Sequence, residues 1–148
     1  MKYRVLIPLA ISAALLAACS GSKSSSSVGS AVNPLLRIQA LPPADARQVS
    51  AVRDMKNWKN PYLIVRVDGV GLLDSANNEQ KILTPDQLLT ALAELPSSAW
   101  PYGRVVAVAE SAPTGSSEAD KAQLRRNRAL VAGTLENLKV VIDWVPSA

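Results

Sequence analysis

The 148-residue chain has no histidine. That removes the commonest general base and metal ligand, so Ser-His and Cys-His nucleophilic pairs and His-based zinc sites are excluded by inventory. Carboxylate pairs or a Ser-Lys arrangement remain as the ordinary catalytic options, and neither a cofactor nor a metal is expected. There is a single cysteine, Cys19, so no disulfide can form within the chain and the fold must stand on packing alone. Charge is also sparse. Of the 16 basic residues, Lys2 and Arg4 belong to the N-terminal leader, which leaves 14 against 12 acidic ones, a net charge of about +2 rather than +4. A nucleic-acid footprint needs a concentrated basic face, so nucleic acid is not an expected partner. No apolar run reaches the roughly 20 residues that a membrane-crossing helix requires.

What is present first is an address. Lys2 and Arg4 precede an apolar run from Val5 to Leu16, broken only by Pro8 and Ser12, and the run ends in Leu16-Ala17-Ala18-Cys19. A charged start, a short apolar segment and small residues before a cleavage site read as a secretory signal over residues 1–18. The final four residues resemble the lipobox of bacterial lipoproteins. That resemblance implies a thioether-linked lipid on Cys19, cleavage that makes Cys19 the first residue, and usually an acylated amine. The alternative is a plain signal with an incidental or buried cysteine, but a lone thiol in a secreted chain is otherwise a reactive liability. One acyl chain binds a membrane only marginally, at about 0.8 kcal/mol per buried methylene, whereas two or three hold it durably. In enterobacterial lipoproteins an Asp after the lipidated Cys favours the inner membrane. Ser20 therefore implies, by the same resemblance, an outer-membrane protein facing the periplasm.

Residues 19–34 are the tether. Ser20 to Ser30 is Ser- and Gly-rich without apolar periodicity, and 12 to 15 flexible residues reach about 20 Å. Residues 35–148 are left for one small domain, enough for a self-sufficient core. Val49, Val52 and Met55 recur with helical spacing, predicting a helix over 44–58 that Asn60-Pro61 breaks. Tyr62 to Val67 and Val70 to Leu73, joined by Asp68-Gly69, predict a hairpin with a type I′ turn. The polar segment Asp74 to Glu79 reads as a loop; Ala76 stands where a calcium loop wants an oxygen ligand and the required Gly is missing. Thr84-Pro85-Asp86-Gln87 opens a helix as N-cap, N1 proline, first-turn acid and capping-box partner, with Leu88, Leu89, Leu92 and Leu95 as its apolar face and Pro96 as its stop. Arg104 to Glu110 encloses five small or β-branched residues, a strand covered on both faces. Residues 120–138 predict a long helix capped by Ser116 or Ser117, with Leu124, Val131, Leu135 and Leu138 on one side. Residues 139–145 predict a closing strand.

The order helix, hairpin, helix, strand, helix, strand gives an α/β (α+β) two-layer sandwich, a mixed sheet of about four strands with helices mainly on one face. Arg128 falls on the apolar stripe of the long helix and needs a partner there, since an unpaired buried charge costs several kcal/mol. Glu110, Asp68 and Asp143 are the candidates, with Glu110 the best placed at the end of the central strand. Trp58, Trp100 and Trp144 read as core or rim packing, with Trp100-Pro101-Tyr102 as an alternative partner surface.

Leu124-Arg125-Arg126-Asn127-Arg128-Ala129-Leu130-Val131, with Gly115-Ser116, resembles the helix and loop of the peptidoglycan-binding domain of the OmpA and Pal type. By that resemblance Arg128 takes a diaminopimelate carboxylate, although Ala109-Glu110-Ser111 stands where that family carries its strand-end motif. Residues 62–145, notably Val67-Asp68-Gly69, also resemble the periplasmic domain of ExbD and TolR proteins, without that family's membrane helix. The expectation is therefore a non-enzymatic envelope lipoprotein. Its partners are the bilayer through Cys19 and either peptidoglycan, through Arg128 with Glu110, or another envelope protein. The enzymatic alternative is a hydrolase using Asp68 and Glu110.

Overall fold

In β1 (Tyr62–Arg66) alternate residues Leu63 and Val65 are fully buried while Tyr62, Ile64 and Arg66 are partly exposed, the period-two signature of a strand with one face on the main core. This is a computed structural model, and it describes residues 33–52, 55–74 and 79–146. The protein is α+β, with one mixed sheet of five strands. β1 pairs antiparallel with β2 (Gly69–Asp74), which pairs antiparallel with β3 (Glu79–Leu83). On its other side β1 runs parallel to β4 (Val105–Glu110), and β4 runs parallel to β5 (Val141–Trp144). The spatial order is β3-β2-β1-β4-β5. Each parallel pairing needs a crossover, and α3 (Leu88–Glu94) and α4 (Glu118–Asn137) lie in the two connections.

The sheet therefore has five strands where about four were expected. The additional one, β3, has four exposed residues before the buried Leu83. It lies at the sheet edge and lacks the apolar alternation by which a strand is recognised, so its pairing with β2 defines it.

β4 has its first five residues buried, as a strand with parallel neighbours and cover on both faces requires. One face meets α1 (Pro34–Gln39), α3 and α4 through Ile38, Leu88, Leu92, Leu124, Val131 and Leu135. The other meets a smaller cluster in which Trp58, Val49, Val52 and Met55 cover Val105 and Ala107. The helix expected over 44–58 is only α2 (Ala46–Ala51), followed by a 3-10 turn at Met55–Asn57. Asp45 caps α2 through the amides of Arg47 and Gln48, and Val52 is already extended. Short α1, which sequence periodicity did not indicate, is opened by Asn33 accepting from the Leu35 amide.

Local signals were most informative where caps are side-chain chemistry. Thr84 donates its amide to Gln87 Oε1 at 3.0 Å, although the turn it opens is 3-10 before α3 proper begins. Ser117 and Asp120 form a reciprocal capping box at the start of α4. The hairpin differs from expectation: Arg66 pairs with Gly69, so Val67 and Asp68 form the two-residue turn. Lys139 is the only non-glycine residue with positive φ among those described, so Val67 and Asp68 do not make a type I′ turn. The positive φ, 148°, falls on Gly69 instead.

Two buried asparagines hold the strand ends. At the start of β1 and β4, Asn60 Nδ2 donates to Gly103 O and Val105 O at 2.7 Å each, while its Oδ1 accepts from the Tyr102 amide at 2.9 Å. At the far end, Asn127 of α4 donates to Arg66 O at 2.8 Å and Val67 O at 3.2 Å, closing the hairpin turn against the helix. Trp58 and Trp100 are core residues; Trp100 is 3% exposed, which rules it out as the centre of a partner surface.

Candidate functional site

Because β1, β4 and β5 are parallel, their C-terminal ends gather on one edge of the sheet. That edge carries the residues singled out from sequence. Glu110 ends β4, and α4, packed across this face, carries Arg128 to it. Arg128 Nη1 lies 2.7 Å from Glu110 Oε1. The guanidinium carbon lies 4.4 Å from the ring centroid of Trp144, the last residue of β5. Glu110 is thus the partner of Arg128, as its place at the strand end suggested.

The burial of Arg128 is less than the apolar stripe implied. Its side chain is 49% exposed and that of Glu110 31%. Leu124, Val131, Leu135 and Leu138 are buried as expected, but the polar residue within their stripe is Asn127, which is 4% exposed. The physical reason is reach. An asparagine ends close enough to the helix to meet the main-chain carbonyls of Arg66 and Val67, whereas the longer Arg128 carries its guanidinium out to the rim, over the Trp144 ring and against Glu110. Asn127 and the plate formed by Trp144 were not readable beforehand, since both depend on which strand lies under α4.

Asp68 pairs with a different arginine from Glu110. It is bound by Arg66, with Nε to Oδ1 at 2.8 Å and Nη2 to Oδ2 at 3.2 Å, a two-pronged contact across the hairpin turn. The hydrogen bond from Arg66 holds the Asp68 carboxyl below the ordinary carboxylate range, outweighing the opposing effect of burial, and the charge of Arg66 adds to the lowering. An acid kept ionised in this way cannot serve as a proton donor near neutrality. A shallow cavity of about 310 Å³ lies beside the pair, lined by Arg66, Val67, Asp68, Ser111 and Pro113.

Chemically, this edge offers two arginine-carboxylate pairs, one of them resting on an aromatic ring. Such pairs recognise planar anions when a guanidinium edge is left free. Among the described residues no cluster of three or more His, Cys, Asp or Glu side chains is placed to hold a metal ion, and no helix is long and apolar enough to cross a membrane. Cys19, the leader and most of the tether lie outside the described residues. Comparison with known proteins finds no family model, no curated protein and no solved structure that matches the chain.

Proposed function

We propose that the chain is a cell-envelope lipoprotein, fixed to a bilayer by acyl chains on Cys19, whose α+β domain works by binding another envelope component rather than by catalysis. The observation that carries this is the placement of the only cysteine directly after Leu16-Ala17-Ala18, at the end of a short apolar run behind two basic residues. Ser20 favours the outer membrane, with the domain facing the periplasm. Binding is favoured over hydrolysis because the two carboxylates available for catalysis are each held by an arginine, Asp68 by Arg66 and Glu110 by Arg128. Mass analysis of the mature product tests the anchor. A mass increment of a diacylglycerol, with or without a third acyl chain, on an N-terminal Cys19 supports it; an unmodified thiol or an intact leader overturns it.

One observation favours a more specific version, peptidoglycan tethering through Arg128. About half of that side chain remains exposed above Trp144, so a carboxylate of a cross-bridging peptide can approach without unpacking the core. Co-sedimentation of the lipidated protein with purified sacculi, lost in Arg128→Ala, supports this version. Failure of the unaltered protein to co-sediment removes it and leaves a protein partner.

A further inference from the structure

β3 is an edge strand, so the N–H and C=O groups of alternate residues point away from β2, with no strand among the described residues to receive them. Beside that edge runs a groove of about 550 Å³ between β3 and the turn and helix that follow it. The wall of the groove is formed by Asp86, Thr90 and Glu94, four residues apart and all exposed, which places them in a row along one side of the helix. The pleat of β3 sends Lys81 to the helix side with its partner Leu72, and Ile82 to the opposite face with Gly71. Ile82 is 46% exposed there. Two carboxylates against one ammonium leave the wall with one negative charge.

We propose that this groove accepts an extended segment of a partner protein as a sixth strand, a segment in which Lys or Arg alternates with apolar residues. Backbone pairing with β3 supplies the affinity and the alternation supplies the specificity. Side chains of the added strand that point toward α3 meet Asp86 and Glu94, so they are basic. Those on the other face lie beside exposed Ile82, so they are apolar. The five residues of β3 set the length of the paired segment at about 17 Å. The chain's own tether does not fit, because Ser20 to Ser30 contains only Lys23 and Val28 besides Ser and Gly. The site lies at the sheet edge formed by β3, away from Arg128, and does not depend on what Cys19 carries.

The test uses the mature lipidated chain in a neutral detergent and two synthetic octapeptides, one alternating Lys with Val and one alternating Glu with Val. Backbone hydrogen exchange is followed residue by residue, and affinity is measured by fluorescence anisotropy of labelled peptide. The expected result is slowed exchange across residues 79–83 with the Lys/Val peptide alone. Asp86→Asn with Glu94→Gln, both at exposed positions, is expected to weaken that binding about three- to tenfold, the scale of two rim ion pairs. Absence of protection in β3, equal protection by the Glu/Val peptide, protection on β5 instead, or undiminished affinity of the folded double variant each overturns the proposal. Circular dichroism and the denaturation midpoint establish that the variant is folded. Should it unfold, the single Glu94→Gln variant carries the affinity comparison.

Discussion

Asn60 and Asn127 are the buried polar residues among those described, and neither is redundant. Asn60 makes three hydrogen bonds to main-chain groups 42 to 45 residues away. Truncation would lose those bonds and take from the Val105 carbonyl and the Tyr102 amide the partner that Asn60 supplies, while Gly103 O keeps the Val105 amide. Asn60→Ala is expected to cost about 2–4 kcal/mol, read from urea denaturation. Arg128 is the opposite case. Its ion pair is half-exposed and its contact with Trp144 lies at the rim; an exposed pair contributes up to about 1 kcal/mol and the cation-π contact about 0.5–1. Arg128→Ala should therefore fold normally, with a loss of no more than about 2 kcal/mol, and remain usable in the sacculus experiment. The Arg66–Asp68 pair sets a pH dependence. Because Asp68 has a lowered pKa in the folded state, its contribution is complete above the unfolded carboxyl value of about 4 and is lost as pH falls through the folded value. Both side chains are more than a third exposed, so the effect is small and screened. Asp68→Asn should slightly flatten the acid limb of stability against pH, and 1 M salt should abolish the difference.

At the scale of elements, the C-terminus of α4 shows how a local rule is met by an unfavourable residue. Val140 donates its amide to Leu135 O and Lys139 to Glu136 O, with Leu135 and Val140 both buried, the pattern of a Schellman cap. The left-handed position is held by Lys139 at φ 56° instead of glycine. Lys139→Gly should raise stability by about 0.5–1 kcal/mol, since relief of the backbone strain exceeds the entropy lost by a freer unfolded chain. The hairpin shows the reverse. Gly69 has φ 148°, and a Cβ there would collide with the Leu83 carbonyl oxygen; Gly69→Ala should cost about 1–3 kcal/mol. Both are measurable by chemical denaturation. These particulars also divide what was legible from what was not. The capping box of the turn that leads into α3, the cap of α4 and the buried run of β4 rest on chemistry within a few residues, and they were readable. The pairing of Glu110 with Arg128 was readable from the place of Glu110 at the end of the central strand, although the buried polar residue of the stripe is Asn127 and Arg128 is half-exposed. Glu79-Gln80-Lys81 of β3 becomes a strand only by pairing with β2, and α2 stops short because Val52 turns extended. Asn60, Asn127 and the Trp144 plate depend on strand order, which no local pattern encodes.

For the whole molecule, the proposed anchor at Cys19 stands apart in sequence from the residues that build the fold. The core draws on residues from Ile38 onward, the first described element is capped by Asn33, and the only cysteine lies 14 positions before that cap, outside any disulfide. Between Ser20 and Ser30 the sequence offers Val28 as its one apolar side chain to pack on the domain. On the proposed anchoring, lipid on Cys19 would set where the domain is and leave its stability alone. Cys19→Ala should move the protein wholly from the membrane fraction to the soluble fraction. Its denaturation midpoint should match that of the lipidated form in detergent, with the two free energies agreeing within about 0.5 kcal/mol, the ordinary scale for a change that touches no packed residue. Fractionation with midpoint measurement distinguishes the two effects. Retention in the membrane fraction would refute the role of Cys19, whereas release accompanied by a loss of more than about 1 kcal/mol would mean that the acyl chains or the tether pack against the domain, which the separation of tether and core argues against.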